Sequence, residues 1–401
     1  MNAKNNILII FLIVISCHNT INAQDLVKTF NLTKLPKLST VKLSDLGFVD
    51  IEYIPLETTT QSLVSGIDNI FFHDYKMNKI LSGNDYFLIK NGNKILKFKV
   101  DGSFIRTIGT VGRGPDELDN IDDVVLNKKN QNIFLVSSRQ KKICHYSPGG
   151  ELIKVLSIPF FIYEFSFIEN RILCYCGDNS GINKNSFILM DTLGHIVKNF
   201  PNKYPFKSLN GIVVYTHENL FYQYNKTQFI KEIYSDTIYA LENMDFKPHI
   251  VIEVGKRLVT PGVRSEFDSY KIYANYIQPM NLLEFGDYIY FAFIYKFVVQ
   301  GDVIIYGFIG SKRDNYQTLF NLGDGIDNDL DGGPNILPLT TKNDNAIISL
   351  IDALTLRKHV ASEEFKKSTP KYPEKKKELE ILANSLKETD NPVLIIVRLK
   401  K

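Results

Sequence analysis

The sequence predicts an all-β chain, a six-bladed β-propeller closed by N- and C-terminal strands, with one short C-terminal helix. Three observations predict it: a tight hairpin within residues 94–118, the return of that hairpin at a nearly constant interval, and an apolar strand near each end of the chain.

The hairpin reads KILKFKVDGSFIRTIGTVGRGPDEL. Ile95, Phe98 and Val100 lead into Asp101-Gly102; Phe104, Ile105 and Ile108 lead out. An Asp-Gly pair between β-rich runs marks a tight turn, because the turn needs a positive φ that glycine adopts readily. A second copy occupies 124–126, 133–137, 142–146 and 151–158, and a third 165–168, 171–175, 187–190 and 195–200. The outgoing arms GSFIRTIG, GELIKVLSIP and GHIVKNFP share a glycine, a spacer, two apolar residues, a basic residue and another apolar residue. Their turn glycines are Gly102, Gly150 and Gly194, a period that suits several short strands per unit.

The remaining units are assembled around these. Residues 212–240 form a fourth, with 231–233 and 237–240 as outer strands about Ser235-Asp236. A fifth covers 282–320, where 288–299 turns at Gly301-Asp302 and returns through 303–309. Its apolar run is too short for a membrane span and Lys296 interrupts it. A sixth uses 346–350 and its flanks. Residues 210–278 keep the spacing poorly, which leaves the blade boundaries there open.

The ends supply closure. Residues 41–56 read as an opening strand with Ile51, Tyr53 and Pro55 on one face, followed by short strands at 67–72 and 86–89. Residues 373–387 read as a charged helix, with Pro373 in its first turn and Leu379, Leu382, Ala383 and Leu386 along one side. Asn391-Pro392 ends it, and 393–399 is a final strand. Pairing that strand with 41–56 removes open sheet edges.

Composition sets the class. Hydrophobic residues make up 44% of 401, with Tyr 21, Phe 27 and Trp 0, a β-leaning aromatic bias. A net charge of +3 gives no electrostatic footprint for nucleic acid. Lys4 and the apolar run 7–15 make residues 1–24 an export signal, followed by a polar linker at 25–40 and a single propeller domain at 41–401. Two cleavage sites fit: Val14-Ile15-Ser16-Cys17 resembles a lipobox that would place lipid on Cys17, and Ile21-Asn22-Ala23 before Gln24 resembles an ordinary signal peptidase site. Either sends the protein out of the cytoplasm, to the periplasm or to the outer membrane as a lipoprotein, with membrane contact only through that lipid. Cys144, Cys174 and Cys176 lack metal-ligand spacing and read as buried free thiols.

Two stretches invite a chemical reading. Gly109, Gly112 and Gly114 suggest a phosphate loop, but Pro115, Asp116 and Glu117 follow where a helix is required, so a structural corner fits better. Asp327, Asp329 and Asp331 alternate before Gly332, as in the first half of a calcium loop, while the twelfth position is Pro338 and excludes an EF-hand. The pattern fits a calcium ion on those three carboxylates and backbone carbonyls, or a plain solvated acidic loop. The seven histidines show no metal spacing, and His145 and His195 sit in or beside hairpins as structural residues. No catalytic residue is assigned, because a propeller gathers distant loops and only geometry defines such a site.

The segment IGTVGRGPDEL at 108–118 looks like the glycine-rich corner of NHL-type propeller repeats. Together with VDIEYIPLETT at 49–59, DNDLDGGP at 327–334 and DNPVLIIVRLK at 390–400, it resembles the six-bladed β-propeller proteins exported by Gram-negative bacteria. The resemblance implies that fold and no established reaction. Two functions follow as expectations: a binding protein presenting loops to a glycan, peptide or protein partner, or a hydrolase or lyase working at the central channel, with or without calcium. Close acidic or histidine side chains around a deep channel would favour the enzyme, and a shallow apolar mouth the binder. A structural subunit of an envelope assembly would show a wide exposed apolar patch.

Overall fold

The computed structural model describes residues 27–65, 79–177, 181–209, 217–266, 268–296 and 305–400. The expected export signal with Cys17, the strand expected at 67–72 and the expected turn at Gly301-Asp302 lie outside these residues.

The chain opens with β1 (Lys28–Asn31) and β2 (Phe48–Pro55). Blade 1 follows as β3 (Ile80–Ser82), β4 (Tyr86–Asn91), β5 (Lys94–Lys99) and β6 (Phe104–Ile108). Blade 2 is β7 (Asp123–Leu126), β8 (Ile133–Ser137), β9 (Lys142–Tyr146) and β10 (Leu152–Ser157). Blade 3 is β11 (Glu164–Ile168), β12 (Arg171–Tyr175), β13 (Asn185–Asp191) and β14 (Ile196–Pro201). Blade 4 is β15 (Asn219–Tyr224), β16 (Thr227–Glu232), β17 (Thr237–Glu242) and β18 (Asp245–Glu253). Helices α1 (Pro261–Glu266) and α2 (Ser269–Asn275) lead to blade 5, which is β19 (Gln278–Phe285), β20 (Tyr288–Ile294), β21 (Ile305–Ser311) and β22 (Gln317–Asn321). Blade 6 starts with β23 (Thr340–Asn343) and β24 (Ala346–Ile351). The chain then passes through α3 (Ala353–Ala361), α4 (Glu363–Lys367) and α5 (Pro373–Ser385), and ends in β25 (Val393–Leu399).

In blades 1, 2, 3 and 5 the first strand is innermost and the last is outermost; blade 6 starts innermost with β23 but has β2 outermost, and β1 lies outside β18 in blade 4. Residues on successive strand positions point to opposite faces, so each blade packs against both neighbours. On β4, Phe87 and Ile89 join Ile54, Ile348 and Ile396 of blade 6, while Tyr86 and Leu88 join Leu126, Leu135 and Cys144 of blade 2. Middle strands are therefore buried along their length, as in Ile133–Ser137, whereas the outer strand Phe104–Ile108 is half-buried to exposed until Ile108. The pairings of the fourth strands, counted from the channel, in blades 1, 2, 3, 4 and 6 all carry a register shift. A bulge there twists the rim and makes it a poor template for a foreign strand.

Closure follows the expected plan. β2 is the outermost strand of blade 6 and pairs antiparallel with β25 from Phe48↔Leu399 to Pro55↔Val393, while β25 pairs with β24 on its other side. Arg398 reinforces the seam by donating to Asp50 at 2.8 Å and to Glu52, and Lys375 of α5 donates to Asp50 at 2.7 Å. Leu379 and Ala383 of α5 are buried with Ala353, Leu356 and Val360 of α3 and Phe365 of α4. The single helix expected from sequence is thus the last of three packed together. None of the helices among the described residues is long and apolar enough to cross a membrane.

Two sequence readings need correction. Within the expected 25–40 linker, β1 adds to blade 4 as a fifth strand, parallel to β18 with Lys28↔Ile250 through Asn31↔Glu253. Phe30 is buried and meets Phe308 of blade 5 edge-on at 5.5 Å. In the fourth unit, the strands about Ser235-Asp236 are β16 and β17, the middle pair, and β18 is the outer strand of the blade proper. Residues 210–216 of that unit lie outside the description.

Candidate functional site

The six innermost strands enclose a central channel of about 210 Å³, lined by residues of every blade from Lys79 to Thr341. All six enter from the same face, so their first residues form one mouth. Lys79, Asp123, Glu164 and His217 stand there.

Asp123 joins three blades. Its Oδ1 accepts from Lys79 Nζ at 2.8 Å and from the Val124 N–H at 2.8 Å, and its Oδ2 accepts from the Phe165 N–H at 3.2 Å. Glu164 accepts from Asn219 Nδ2 at 3.4 Å, and Asn281 Nδ2 donates to the carbonyls of Pro338 and Leu339 at 3.0 Å. Further down the wall, Ser166 donates to Gln228, and Gln223 Nε2 donates to the Phe167 carbonyl at 2.8 Å. Phe165, Phe167 and Tyr222 complete a lining that mixes aromatic and polar groups.

The opposite end is narrowed by the turns that follow the inner strands. The Asn225 N–H donates to Asp344 Oδ1 at 3.0 Å, the Gly286 N–H to the Asp344 carbonyl at 2.6 Å, and Tyr224 Oη to the Gly286 carbonyl at 2.7 Å. These bonds tie the turns of blades 4, 5 and 6 together. Lys128, on the corresponding turn of blade 2, reaches the channel lining from the far side.

The channel is neither shallow nor apolar at its mouth. It presents two carboxylates and a histidine, although Asp123 has both oxygens engaged. No group of three His, Cys, Asp or Glu side chains among the described residues is placed to hold a metal ion.

The acidic loop is a junction. Asp329 accepts from the Ser44 N–H at 3.1 Å and from the Ser44 hydroxyl. Asp331, fully buried, accepts at Oδ1 from Tyr53 Oη at 3.2 Å, Asn328 Nδ2 at 2.7 Å and the Gly333 N–H at 2.9 Å. Burial pushes the Asp331 carboxyl above its ordinary pKa against the pull of those three donors. The Asp327 carbonyl accepts from the Leu43 N–H, that of Leu330 from the Tyr372 N–H, and that of Gly332 from His359 Nε2. The loop therefore holds the opening segment, blade 6 and the C-terminal helices together. Two oxygens in it, Asp331 Oδ2 and Asn328 Oδ1, are buried with no hydrogen-bond partner.

The other sequence candidates take structural roles. The glycine corner closes on itself: the Gly114 N–H donates to Glu117 Oε2 at 2.7 Å and the Gly112 N–H to the Leu118 carbonyl at 2.9 Å, with a strand following at β7. His195 pairs with Asp191 at 2.9 Å, and His145 stacks on Phe134 with Nε2 2.8 Å from Asn132 Nδ2. Cys144, Cys174 and Cys176 are free and buried. The channel residues escaped the sequence reading, since they come one or two at a time from six separate strands. The recurrence of a short strand after each outgoing arm was the one signal that could have located them.

The chain was compared with known proteins. The family described as a domain of unknown function, DUF4934, matches residues 27–398. No curated protein matches the sequence. Among solved structures, a protein of Bacteroides fragilis described as exported superposes with a TM-score of 0.65 at 17% identity, over 93% of this chain and 99% of its own. A member of the DUF4221 family from Bacteroides vulgatus superposes with a TM-score of 0.50 at 12% identity, over 88% and 97%. These likenesses bear on the fold.

Proposed function

The chain belongs to the DUF4934 family, described as a domain of unknown function, and we propose that it is an exported, non-enzymatic propeller that binds a glycan, peptide or protein partner at the channel mouth and the loops around it. The observation that carries this reading is Asp123. A carboxylate with both oxygens committed to three neighbouring donors shapes a mouth and is badly placed to accept a proton from a substrate. Export is supported by the basic and apolar pattern of residues 1–24 and by the likeness to the B. fragilis protein. Mass spectrometry of the mature N-terminus distinguishes lipid on Cys17 from cleavage before Gln24.

The test pairs binding with turnover. Panels of oligosaccharides and peptides are screened by thermal shift and calorimetry, and every binder is then incubated and examined for cleavage. Binding without cleavage is expected. Cleavage that disappears in both Glu164→Gln and His217→Gln would establish the second reading, a channel hydrolase or lyase, which the presence of those two side chains at the mouth favours.

A calcium ion on the loop of Asp327, Asp329 and Asp331 belongs to the same proposal; the unengaged Asp331 Oδ2 and Asn328 Oδ1 favour it, whereas Asp329 is committed to Ser44 and the three carboxylates are not gathered as one metal-ligand group among the described residues. Melting in calcium and in chelator tests it, and an unchanged midpoint removes the site.

A further inference from the structure

We propose that the channel takes a small carboxylate-bearing ligand, the size of one sugar ring or a short organic acid, with the Lys128 ammonium as its counter-charge. This deepens the binding reading above and rests on it.

The charges of the channel divide unevenly. At the mouth, Lys79 is paired with Asp123 at 2.8 Å, and Glu164 accepts from Asn219. At the narrow end, Lys128 lines the cavity, and among the described residues its Nζ makes no hydrogen bond and no ion pair. Asp344 is the charge that acts on it, from beyond contact distance, and that carboxylate already receives the Asn225 N–H. Lys128 is solvent-exposed by area, but crowding by the channel walls pulls its pKa below the ordinary lysine value, with Asp344 pushing the other way. An ammonium that has lost part of its hydration and has no partner within bonding distance attracts an anion.

Other groups that line the same cavity fit a carboxylate on a polar body. Gln223 uses Nε2 on the Phe167 carbonyl and has no partner at Oε1, and the hydroxyls of Thr340 and Thr341 line the same cavity without a side-chain bond among the described residues. Phe167 and Tyr222 supply apolar faces. The volume of about 210 Å³ is below the roughly 300–1,000 Å³ of clefts that hold drug-sized ligands, which limits the occupant to something smaller.

Calorimetry on the chain from residue 25 onward, with D-galacturonate, succinate and D-galactose as probes, tests the proposal. At least one of the two acids is expected to bind and neutral galactose is not. Binding of galacturonate alone identifies a sugar acid, and binding of succinate identifies a short organic acid. Lys128→Met is expected to weaken acid binding roughly 10- to 100-fold, the worth of a hydrogen bond to a charged group, and Lys128→Arg to restore most of it. Lys128 lies on an exposed turn, so the variant should melt like the parent, which is checked first. Failure of both acids to bind, or binding that survives Lys128→Met, overturns the assignment. If neutral glycans or peptides bind while neither acid does, this inference alone fails. If an acid binds through Lys128 and is then cleaved, the non-enzymatic reading fails and the role of Lys128 stands.

Discussion

Two buried glutamates in this propeller should respond to pH with opposite sign. Glu232 ends β16, and burial raises its pKa to about 7, against a hydrogen bond with Ser186 and the charge of Lys203. Its unfolded value is near 4.5, so between about pH 4.5 and 7 the folded chain binds more protons than the unfolded one, and stability falls as pH rises through that window. Glu232→Gln removes the ionisable group. We expect it to melt like the parent at pH 4 and to be more stable than the parent at pH 8 by about 2 kcal/mol; a difference between variant and parent that is the same at both pH values contradicts this. Glu284 is the reverse case. Burial pushes its carboxyl up, but the hydrogen bonds and positive charge of His249 at 2.7 Å and Lys312 at 2.5 Å bring it below the ordinary value. Tyr222 Oη, at 2.6 Å, completes its shell. That stability is present above the unfolded pKa and is lost as pH falls through the folded one. Glu284→Gln at pH 7 leaves Lys312 and His249 without their anion at the seam of blades 4 and 5, and should cost about 3 kcal/mol in urea unfolding.

The turn between the third and fourth strands of a blade shows how the same residue type answers different demands. Gly102 and Gly194 occupy equivalent turns with φ of 88° and 95°. A Cβ on Gly102 would lie 2.1 Å from the Pro55 carbonyl oxygen of β2, whereas one on Gly194 would meet nothing within 4 Å. Gly194→Ala should therefore cost only the backbone strain, about 1 kcal/mol, while Gly102→Ala must also displace β2 and should cost at least twice that. Equal costs in denaturant unfolding would show that blade 6 yields at no expense. These glycines are also what made the repeat legible. Blades 1, 2 and 3 announce themselves through Gly102, Gly150 and Gly194, and the strands expected beside those turns agree with the structure to within a residue or two, although β3 of blade 1 is not among them. Blade 4 makes its equivalent turn with Asn243 and Met244, both at positive φ without glycine, so the spacing vanishes from the sequence while the geometry persists. β1 was hidden for another reason. Four residues, KTFN, gain their partner from a strand more than two hundred positions away, and no local pattern encodes such a pairing.

At the scale of the whole ring, function and closure share one dependence. Lys79, Lys128, Gln223 and Thr341 face one cavity only because six blades complete a circle, so the sequence could give the blades without giving the channel. The circle is shut by β25, which lies between β2 and β24 and is bonded to both. Removing it does more than trim an edge: β2 loses the one sheet partner it has among the described residues, β24 loses one side, and Leu394, Ile395, Ile396 and Val397 leave the cores on both faces of blade 6. β1 is different in kind. It sits on the outer edge of blade 4, and without it β18 still pairs with β17. A chain ending at Pro392 is therefore expected to lose cooperative unfolding altogether. A chain beginning at Leu38 should keep a single transition, at a lower midpoint, because it gives up Phe30 and Leu32 and the parallel pairing with Ile250 through Glu253 while leaving the ring intact. Circular dichroism melts of the two truncations decide the matter. Cooperative melting of the C-terminally shortened chain would mean that the interfaces between neighbouring blades hold the circle without its closing strand.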